Sequence, residues 1–272
     1  MSKAMTAPAP GDIGGELFET LKGKATLGGG PMIMLGVMAG VYIGLGGLFA
    51  IVALAGAQDL PYGVGQLMAG AVFALGLVLV LIAGAELFTG NMLFAGPVAT
   101  GQVSLGQAAR ALGIVYVANF VGSLLLAAVV LMANVHEAGD GAVGRAALLL
   151  AEGKVDNPAL SMFASGLLAN MLVCLAVWMA AAGRTVSQKI AGLLLPVAAF
   201  VAMGLEHSIA NMYLLPYRWM VQTAAGESNG VLSLVSIMGN LVPVTLGNML
   251  GGALIALAYW YAYVRQASPG RN

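Results

Sequence analysis

Two glutamates, Glu86 and Glu206, lie inside long apolar stretches of the sequence and have matching surroundings. The pattern G-x-E-x-x-x-x-N-M occurs at residues 84–92 and again at 204–212, with a spacing of 120 residues. His207 directly follows the second glutamate. An ionisable group inside a membrane span is a functional candidate by default, and a histidine can gain or lose a proton near neutral pH. These residues predict a site for a small ion, with proton exchange at His207.

Several of the polar residues also have structural interpretations. Each glutamate is equally a candidate to cap the exposed N–H groups of the half-helix that follows it. Asn170, alone in an apolar stretch, fits either a helix–helix hydrogen bond or a pore lining, and Lys154 with Asp156 resembles a surface pair. One cysteine and a second histidine in a polar loop give no ligand set, so we expect no metal site. A phosphate-binding G-x-x-x-x-G-K-[ST] motif is absent as well, and we expect no cofactor.

The composition indicates which class of protein contains these polar residues. Hydrophobic residues make up 60% of the 272 positions and charged residues 8%, whereas about a quarter of a soluble domain is charged. Eleven basic residues balance eleven acidic ones, so no basic surplus exists for nucleic-acid binding. The sequence therefore predicts an all-α integral membrane protein whose first partner is the lipid bilayer.

Six stretches are long enough to cross the bilayer, which takes about 20 apolar residues. They show no alternation of polarity of the kind that barrel strands require. The predicted spans cover residues 32–57, 67–99, 111–133, 159–182, 190–215 and 235–264. The second is interrupted at Thr89-Gly90-Asn91 and the fifth near Glu206-His207. We predict a transmembrane domain over residues 29–266, preceded by a tail and interfacial helix at 1–28 and followed by a cytoplasmic tail at 267–272.

The flanking charges predict the orientation. Ile13, Leu17, Phe18 and Leu21 share one face at helical spacing, which indicates a short amphipathic helix before the first span. With both termini on one side, that side carries eight basic residues and the other side three. The positive-inside rule then places both termini in the cytoplasm. The eight are Lys3, Lys22, Lys24, Arg110, Arg184, Lys189, Arg265 and Arg271; the three are Arg145, Lys154 and Arg218.

The repeated motif predicts an inverted repeat. Spans three and six also correspond, with Asn119 and Asn248 each followed by an apolar pair and a glycine. Because each half holds three spans, the second half must be inverted in the membrane. Inverted repeats with one broken helix per half are typical of transporters, and non-helical backbone at membrane depth lines a cavity or is buried in protein. We predict a three-plus-three repeat with helices two and five broken and a solute path between the breaks.

The segments "AGAELFTGNM", "GLEHSIANM", "ANMLVCLAVWMA" and "VTLGNMLGG" closely resemble the formate/nitrite transporter family over essentially the whole chain. The resemblance implies a homopentamer in a bacterial inner membrane, with an aquaporin-like pore in each protomer. It also implies that His207 meets the permeating anion and contacts Thr89, with Asn170, Lys154 and Glu206 nearby. The implied apolar constrictions are Phe73, Leu77, Phe88 and Phe200, and the repeated motif residues are Glu86, Asn91, Asn211 and Asn248.

The C-terminal segment most resembles the nitrite-transporting branch, so nitrite is the expected anion and formate or hydrosulfide the alternative. Asn91 departs from that branch, which often has histidine after Thr-Gly. Two other classes compete. A neutral-solute channel of the aquaporin kind should carry paired Asn-Pro-Ala signatures, whereas here the pairs are Asn-Met. An intramembrane hydrolase would need Ser208 activated by His207, but neighbouring helical residues point about 100° apart.

Overall fold

The computed structural model describes residues 7–226 and 232–265, and that part of the chain is built from helices. Among these residues, five helical segments are long and apolar enough to span a membrane, and the fifth predicted span is divided into two helices of 17 residues each. The helices are α1 (Pro10–Ala25), α2 (Gly29–Leu54), α3 (Tyr62–Val78), α4 (Phe88–Asn91), α5 (Ala95–Ala99), α6 (Leu105–Met132), α7 (Ala142–Val155), α8 (Ala159–Ala182), α9 (Val186–Ala202), α10 (Ser208–Ala224) and α11 (Leu234–Tyr259).

The predicted six-span arrangement with two interrupted helices is confirmed. Span two is α3, extended by a π-helical turn at Leu79–Gly84, and it resumes at α4; span five is α9 followed by α10. The first interruption differs from its predicted position, because the backbone leaves the helix at residues 85–87 and Thr89 already belongs to α4. Gly84 and Gly204 stand just before the two glutamates with φ of 92° and 67°, a conformation that favours glycine. The glycine of the repeated motif therefore makes the turn out of each helix, as the last residue of the π-helical turn in the first half and two residues after the end of α9 in the second.

Glycines bring the helix backbones together in both halves. The pairs α2–α6 and α8–α11 pack together more extensively than any other helix pair within the described residues. A Cβ at Gly122 would meet the Val37 carbonyl oxygen, and one at Gly247 would meet the Phe163 carbonyl oxygen. Because backbone blocks the added atom, larger residues cannot be accommodated by a side-chain rotation. Close approach of this kind is how small residues stabilise helix pairs in membranes.

Replacing Gly247 by alanine is therefore expected to destabilise the protein. The α8–α11 pair must separate to admit the methyl group, and overpacking of this kind costs about 1–3 kcal/mol. Gly239 supplies the control, since it lies exposed on the same helix and a Cβ added there would meet no atom within 4 Å. We expect Gly247→Ala to lower the thermal midpoint of the detergent-solubilised protein and Gly239→Ala to leave it unchanged or raise it. Equal midpoints for the two variants would contradict the close packing.

Each half begins with a short helix that precedes its first span, α1 before α2 and α7 before α8. As predicted, Ile13, Leu17, Phe18 and Leu21 lie on one face of α1, and all four are buried. That face packs against protein, with the Phe18 ring edge-on to Trp178 at 6.4 Å between centroids. The parts of the predicted end segments at residues 1–6 and 266–272 lie outside the described residues.

An exposed ion pair ties α1 to the connection between α8 and α9. The Arg184 guanidinium contacts both carboxylate oxygens of Glu16, at 2.8 and 3.2 Å. The hydrogen bond and the charge of Arg184 hold the pKa of Glu16 below its ordinary value. Because both side chains are exposed, the pair contributes little to stability, and it serves to position α1 over the end of the bundle.

Candidate functional site

At the first interruption, the Glu86 carboxylate is held by one cation and one amide. Lys24, from α1, places its ammonium nitrogen 2.9 Å from Glu86 Oε1, and the side-chain amide of Asn91 donates to Oε2 at 2.8 Å. The Glu86 side chain is 6% exposed and that of Lys24 is 30% exposed. A buried carboxylate is tolerated when it is both paired and hydrogen-bonded, and Glu86 meets both conditions.

The second interruption repeats this arrangement with residues of the other half. Lys154, from α7, lies 3.0 Å from Glu206 Oε1, and Asn211 donates to Oε2 at 2.5 Å. Asn240 adds a contact that the first half lacks, at 3.3 Å from Oε2. The Lys154 and Glu206 side chains are only 12% and 4% exposed, so this pair is the more deeply buried of the two. The E and N of the repeated motif are therefore hydrogen-bonded partners in both halves.

The N-termini of the two half-helices are capped by asparagines from the spans that follow. Asn119 Oδ1 accepts from the Phe88 N–H at 2.9 Å, and Asn248 Oδ1 accepts from the Ser208 N–H at 2.8 Å. Each asparagine also donates to the carbonyl of the motif glutamate, at 2.9 and 3.0 Å. The alternative in which the glutamates cap these helices is thus wrong, because their carboxylates bind lysine and asparagine instead.

The two interruptions meet where Thr89 contacts His207. Thr89 Oγ1 lies 2.9 Å from His207 Nε2, and both residues are buried. Asn170, on α8, donates to the carbonyl oxygens of Thr89 and Asn248 at 3.1 and 2.7 Å, and the Cys174 thiol lies 3.6 Å from the Thr89 carbonyl. Of the two roles considered for Asn170, the helix–helix hydrogen bond is the one observed. The resemblance placed Asn170 near the outer vestibule, whereas in the structure its side-chain amide binds the backbone carbonyl of Thr89.

A cavity opens on each side of this contact. One, of about 360 Å³, lies on the side of α1 and is lined by Lys24, Leu77 and Leu87, among others. The other, of about 70 Å³, lies on the side of α7, and its lining includes Phe73, Lys154, Phe200 and His207. The Phe200 ring packs edge-on to Phe73 at 5.5 Å and stacks on the His207 imidazole at 5.6 Å. A polar pair flanked by apolar rings is an arrangement that can bind a small polar solute and exclude hydrated ions.

Several residues considered from the sequence line neither cavity, and they include Thr89, Asn170, Glu206, Phe88 and Ser208. The Phe88 ring packs on Tyr116 at 4.8 Å and lines an apolar groove between α6 and α11, and Leu87 rather than Phe88 lines the cavity on the α1 side. The Ser208 hydroxyl has no hydrogen-bond partner in the structure, and both nitrogens of His207 are engaged elsewhere, so the base–nucleophile pair of a hydrolase is not formed. Within residues 7–226 and 232–265, no three His, Cys, Asp or Glu side chains cluster as metal ligands.

Comparison with known proteins agrees with this geometry. The family model described as "Formate/nitrite transporter" matches residues 13–261. The chain belongs to the formate/nitrite transporter family. It is 38% identical over 245 residues to the protein named formate channel FocA of Escherichia coli (strain K12), covering 85% of this chain and 86% of that protein. It is also 38% identical over 238 residues to the nitrite transporter NirC of the same strain, covering 85% and 83%.

A solved structure described as a pentameric formate channel with formate bound has the same fold. The TM-score is 0.81 at 36% identity, covering 87% of this chain and 98% of that one. Membership of the formate/nitrite transporter family, together with the apolar helices, makes this a multi-pass membrane protein that transports a small anion and is not an enzyme. The neutral-solute channel considered from the sequence is set aside by the same finding.

Three features of the site were not predicted from the sequence. Lys24 pairs with Glu86, Leu87 lines the cavity on the α1 side, and Asn240 is a third side-chain partner of Glu206. Lys24 was counted only as a flanking charge. A signal was available, because Lys24 and Lys154 each stand five residues before the first residue of the following span, Gly29 or Ala159. Asn240 has no comparable signal.

Proposed function

We propose that this chain carries formate across a bacterial inner membrane, through a pore in each protomer in which the anion meets Thr89 and His207 midway. The observation that carries the proposal is the contact between Thr89 Oγ1 and His207 Nε2, which joins the two helix interruptions between two cavities. Nitrite, an anion of the same charge and a similar bent O–X–O shape, is the second substrate.

Formate stands first for two reasons. The solved structure with the same fold is described as having formate bound, whereas identity does not separate the relatives named for formate and for nitrite, which are both 38% identical to the chain. Asn91, which follows Thr89-Gly90, matches the relatives that carry formate or hydrosulfide rather than the histidine common in the nitrite branch. The nitrite preference expected from the C-terminal segment therefore becomes the weaker of the two.

The apolar rings of Phe73 and Phe200 favour passage of the solute as a neutral acid over passage as a bare anion. A bare monovalent anion loses much of its hydration beside Phe73 and Phe200, and an ion without a compensating partner is costly in such surroundings. A small weak acid that has gained a proton is neutral and avoids that cost. Thr89, which is hydrogen-bonded to His207, supplies a hydroxyl donor to the anion, and Lys154 supplies an N–H donor in the cavity on the α7 side. Exchange of a proton between His207 and the anion stays a prediction.

Assembly and orientation follow from the relatives and from the charges. The solved channel at 36% identity is described as pentameric, and we assign the same homopentamer to this chain. We assign the α1 side, and both termini, to the cytoplasm, and the excess of Lys and Arg on it supports the assignment. Glu86 with Lys24 then faces the cytoplasmic cavity, and Glu206 with Lys154 faces the outer one.

Uptake of labelled formate by liposomes that contain the purified protein tests the proposal, with protein-free liposomes as the blank. We expect formate uptake that nitrite inhibits. Thr89→Val keeps the shape and removes the hydroxyl; since a hydrogen bond to a charged group contributes about 1.5–3 kcal/mol and about 1.4 kcal/mol is tenfold, uptake should fall at least about tenfold. Thr89→Ser, which keeps the hydroxyl, should retain most of it. Nitrite uptake without formate uptake would reverse the order of substrates, and uptake of neither would overturn the proposal.

A further inference from the structure

His207 is the residue before α10, and its side chain caps that helix. The backbone N–H of Ala210 donates to His207 Nδ1 at 3.2 Å, and this amide has no acceptor within its helix because it belongs to the first turn. An amide N–H can only donate a hydrogen bond. Nδ1 must therefore be the acceptor nitrogen, and the neutral imidazole carries its hydrogen on Nε2.

The direction of the next hydrogen bond follows from this tautomer. Nε2–H is the donor and Thr89 Oγ1 the acceptor across their 2.9 Å contact. The same Oγ1 still carries its own hydrogen, and the structure gives that hydroxyl no acceptor among the described residues. The Thr89 backbone is held independently, because its carbonyl accepts from Asn170.

The ring of His207 is also fixed in orientation. The Phe200 ring stacks on the imidazole with an angle of 27° between the planes, which opposes rotation of the imidazole out of its plane. A half-turn of the ring would replace Nδ1 by a carbon atom at Ala210 and leave a buried N–H without a partner. Losing this hydrogen bond is unfavourable because His207 and Ala210 are both buried and water cannot replace the missing partner.

We propose that the Ala210 amide and the Phe200 ring are positioning groups that fix the direction of the chain from Ala210 through His207 to Thr89, so that it ends in a hydroxyl donor toward the permeating anion. This inference rests on the proposed function, in which the anion meets Thr89 and His207. The opposite tautomer, with its hydrogen on Nδ1, would turn the Thr89 hydroxyl toward Nε2 and offer the pore no donor from this pair. A backbone N–H cannot reverse, so the direction is fixed by the fold, and successive bonds in such a chain strengthen one another.

Nitrogen NMR of the imidazole tests the tautomer without any anion. The chain has two histidines, so His136→Gln leaves His207 as the single source of signal in protein labelled with ¹⁵N-histidine. His136 lies in the polar segment between α6 and α7, away from both cavities. In liposomes at neutral pH we expect one tautomer, protonated at Nε2 and unprotonated at Nδ1. A spectrum dominated by the Nδ1–H tautomer, or an even mixture of the two, would overturn the inference.

A matched pair of variants tests the role of the amide. Ala210→Pro removes the N–H in the first helical turn, where no intrahelical bond is lost, and Ala210→Ser keeps it. We expect the Nδ1–H tautomer to appear in Ala210→Pro together with a several-fold fall in formate uptake, and the Nε2–H tautomer to persist in Ala210→Ser. An unchanged spectrum in an assembled Ala210→Pro protein would overturn the inference; if that variant does not assemble, the His136→Gln spectrum decides alone.

The two proposals can fail separately. If the protein takes up neither formate nor nitrite but His207 shows the Nε2–H tautomer, the hydrogen-bond direction stands and the transport assignment fails. If uptake occurs and the Nδ1–H tautomer is found, the transport assignment stands and the direction is wrong.

Discussion

Replacing His207 by phenylalanine is expected to lower formate and nitrite uptake at least about tenfold while the oligomer stays intact. Phenylalanine has a similar flat shape and can still stack on Phe200, so the packing of the site is preserved. Phenylalanine has no nitrogen, so the hydrogen bonds of His207 to the Thr89 hydroxyl and to the Ala210 amide are both lost. The anion then meets an apolar ring at this position. A polar group buried without a hydrogen bond costs about 2–7 kcal/mol, so uptake should fall by at least about tenfold.

Size-exclusion chromatography and liposome uptake measure the two halves of this prediction. His207→Asn is the matched control, because asparagine is a favoured helix-capping residue and its amide can also donate. We expect His207→Asn to keep part of the uptake that His207→Phe loses. Uptake by His207→Phe at the rate of the unaltered protein would remove His207 from the transport path.

Replacing Lys154 by methionine is expected to destabilise the protein strongly. The change leaves the Glu206 carboxylate, whose side chain is 4% exposed, without its cation. Removing one partner of a buried ion pair costs about 3–5 kcal/mol, because the remaining charge is buried without compensation. The double variant Lys154→Met with Glu206→Gln should recover much of the loss, since glutamine is neutral and still hydrogen-bonds to Asn211 and Asn240.

The other half of the protein provides the control. Lys24 forms the corresponding pair with Glu86 but is 30% exposed against 12% for Lys154, so water screens the charge left behind by Lys24→Met. We expect thermal unfolding of the solubilised protein to begin at a lower temperature in Lys154→Met than in Lys24→Met. The reverse order would mean that burial does not determine the cost of losing the cation.

The sequence was sufficient to predict much of the fold. Apolar length predicted the spans, and the repeated G-x-E-x-x-x-x-N-M pattern predicted both interruptions, because an ionisable residue inside a span requires a partner and a cavity. The position of the first interruption was missed by a few residues. Thr89-Gly90-Asn91 reads as a turn, but the chain leaves the helix at Gly84, where the positive φ is a property of the backbone that only the structure displays.

The partners of the site were harder to predict than its centre. His207 is distinctive because a histidine is rare in a membrane span, whereas a lysine before a span resembles any other flanking charge. Lys24 reaches Glu86 across 62 positions of sequence only because α1 folds back onto the bundle. The caps at Phe88 and Ser208 come from asparagines more than 30 positions away, and their geometry depends on how α6 and α11 cross the interruptions. Such contacts follow from packing, which sequence spacing alone does not define.

The pairing of each motif glutamate with a lysine has an electrical consequence. Each pair carries no net charge, and both of its members are held in place by the fold. The two pairs therefore offer the transmembrane voltage no net charge, whereas the voltage does work on a charged solute. That work is about 2.3 kcal/mol for one charge moved through 100 mV, and it vanishes for a solute that crosses as a neutral acid. We therefore expect voltage to influence transport through the charge of the cargo rather than through these two pairs.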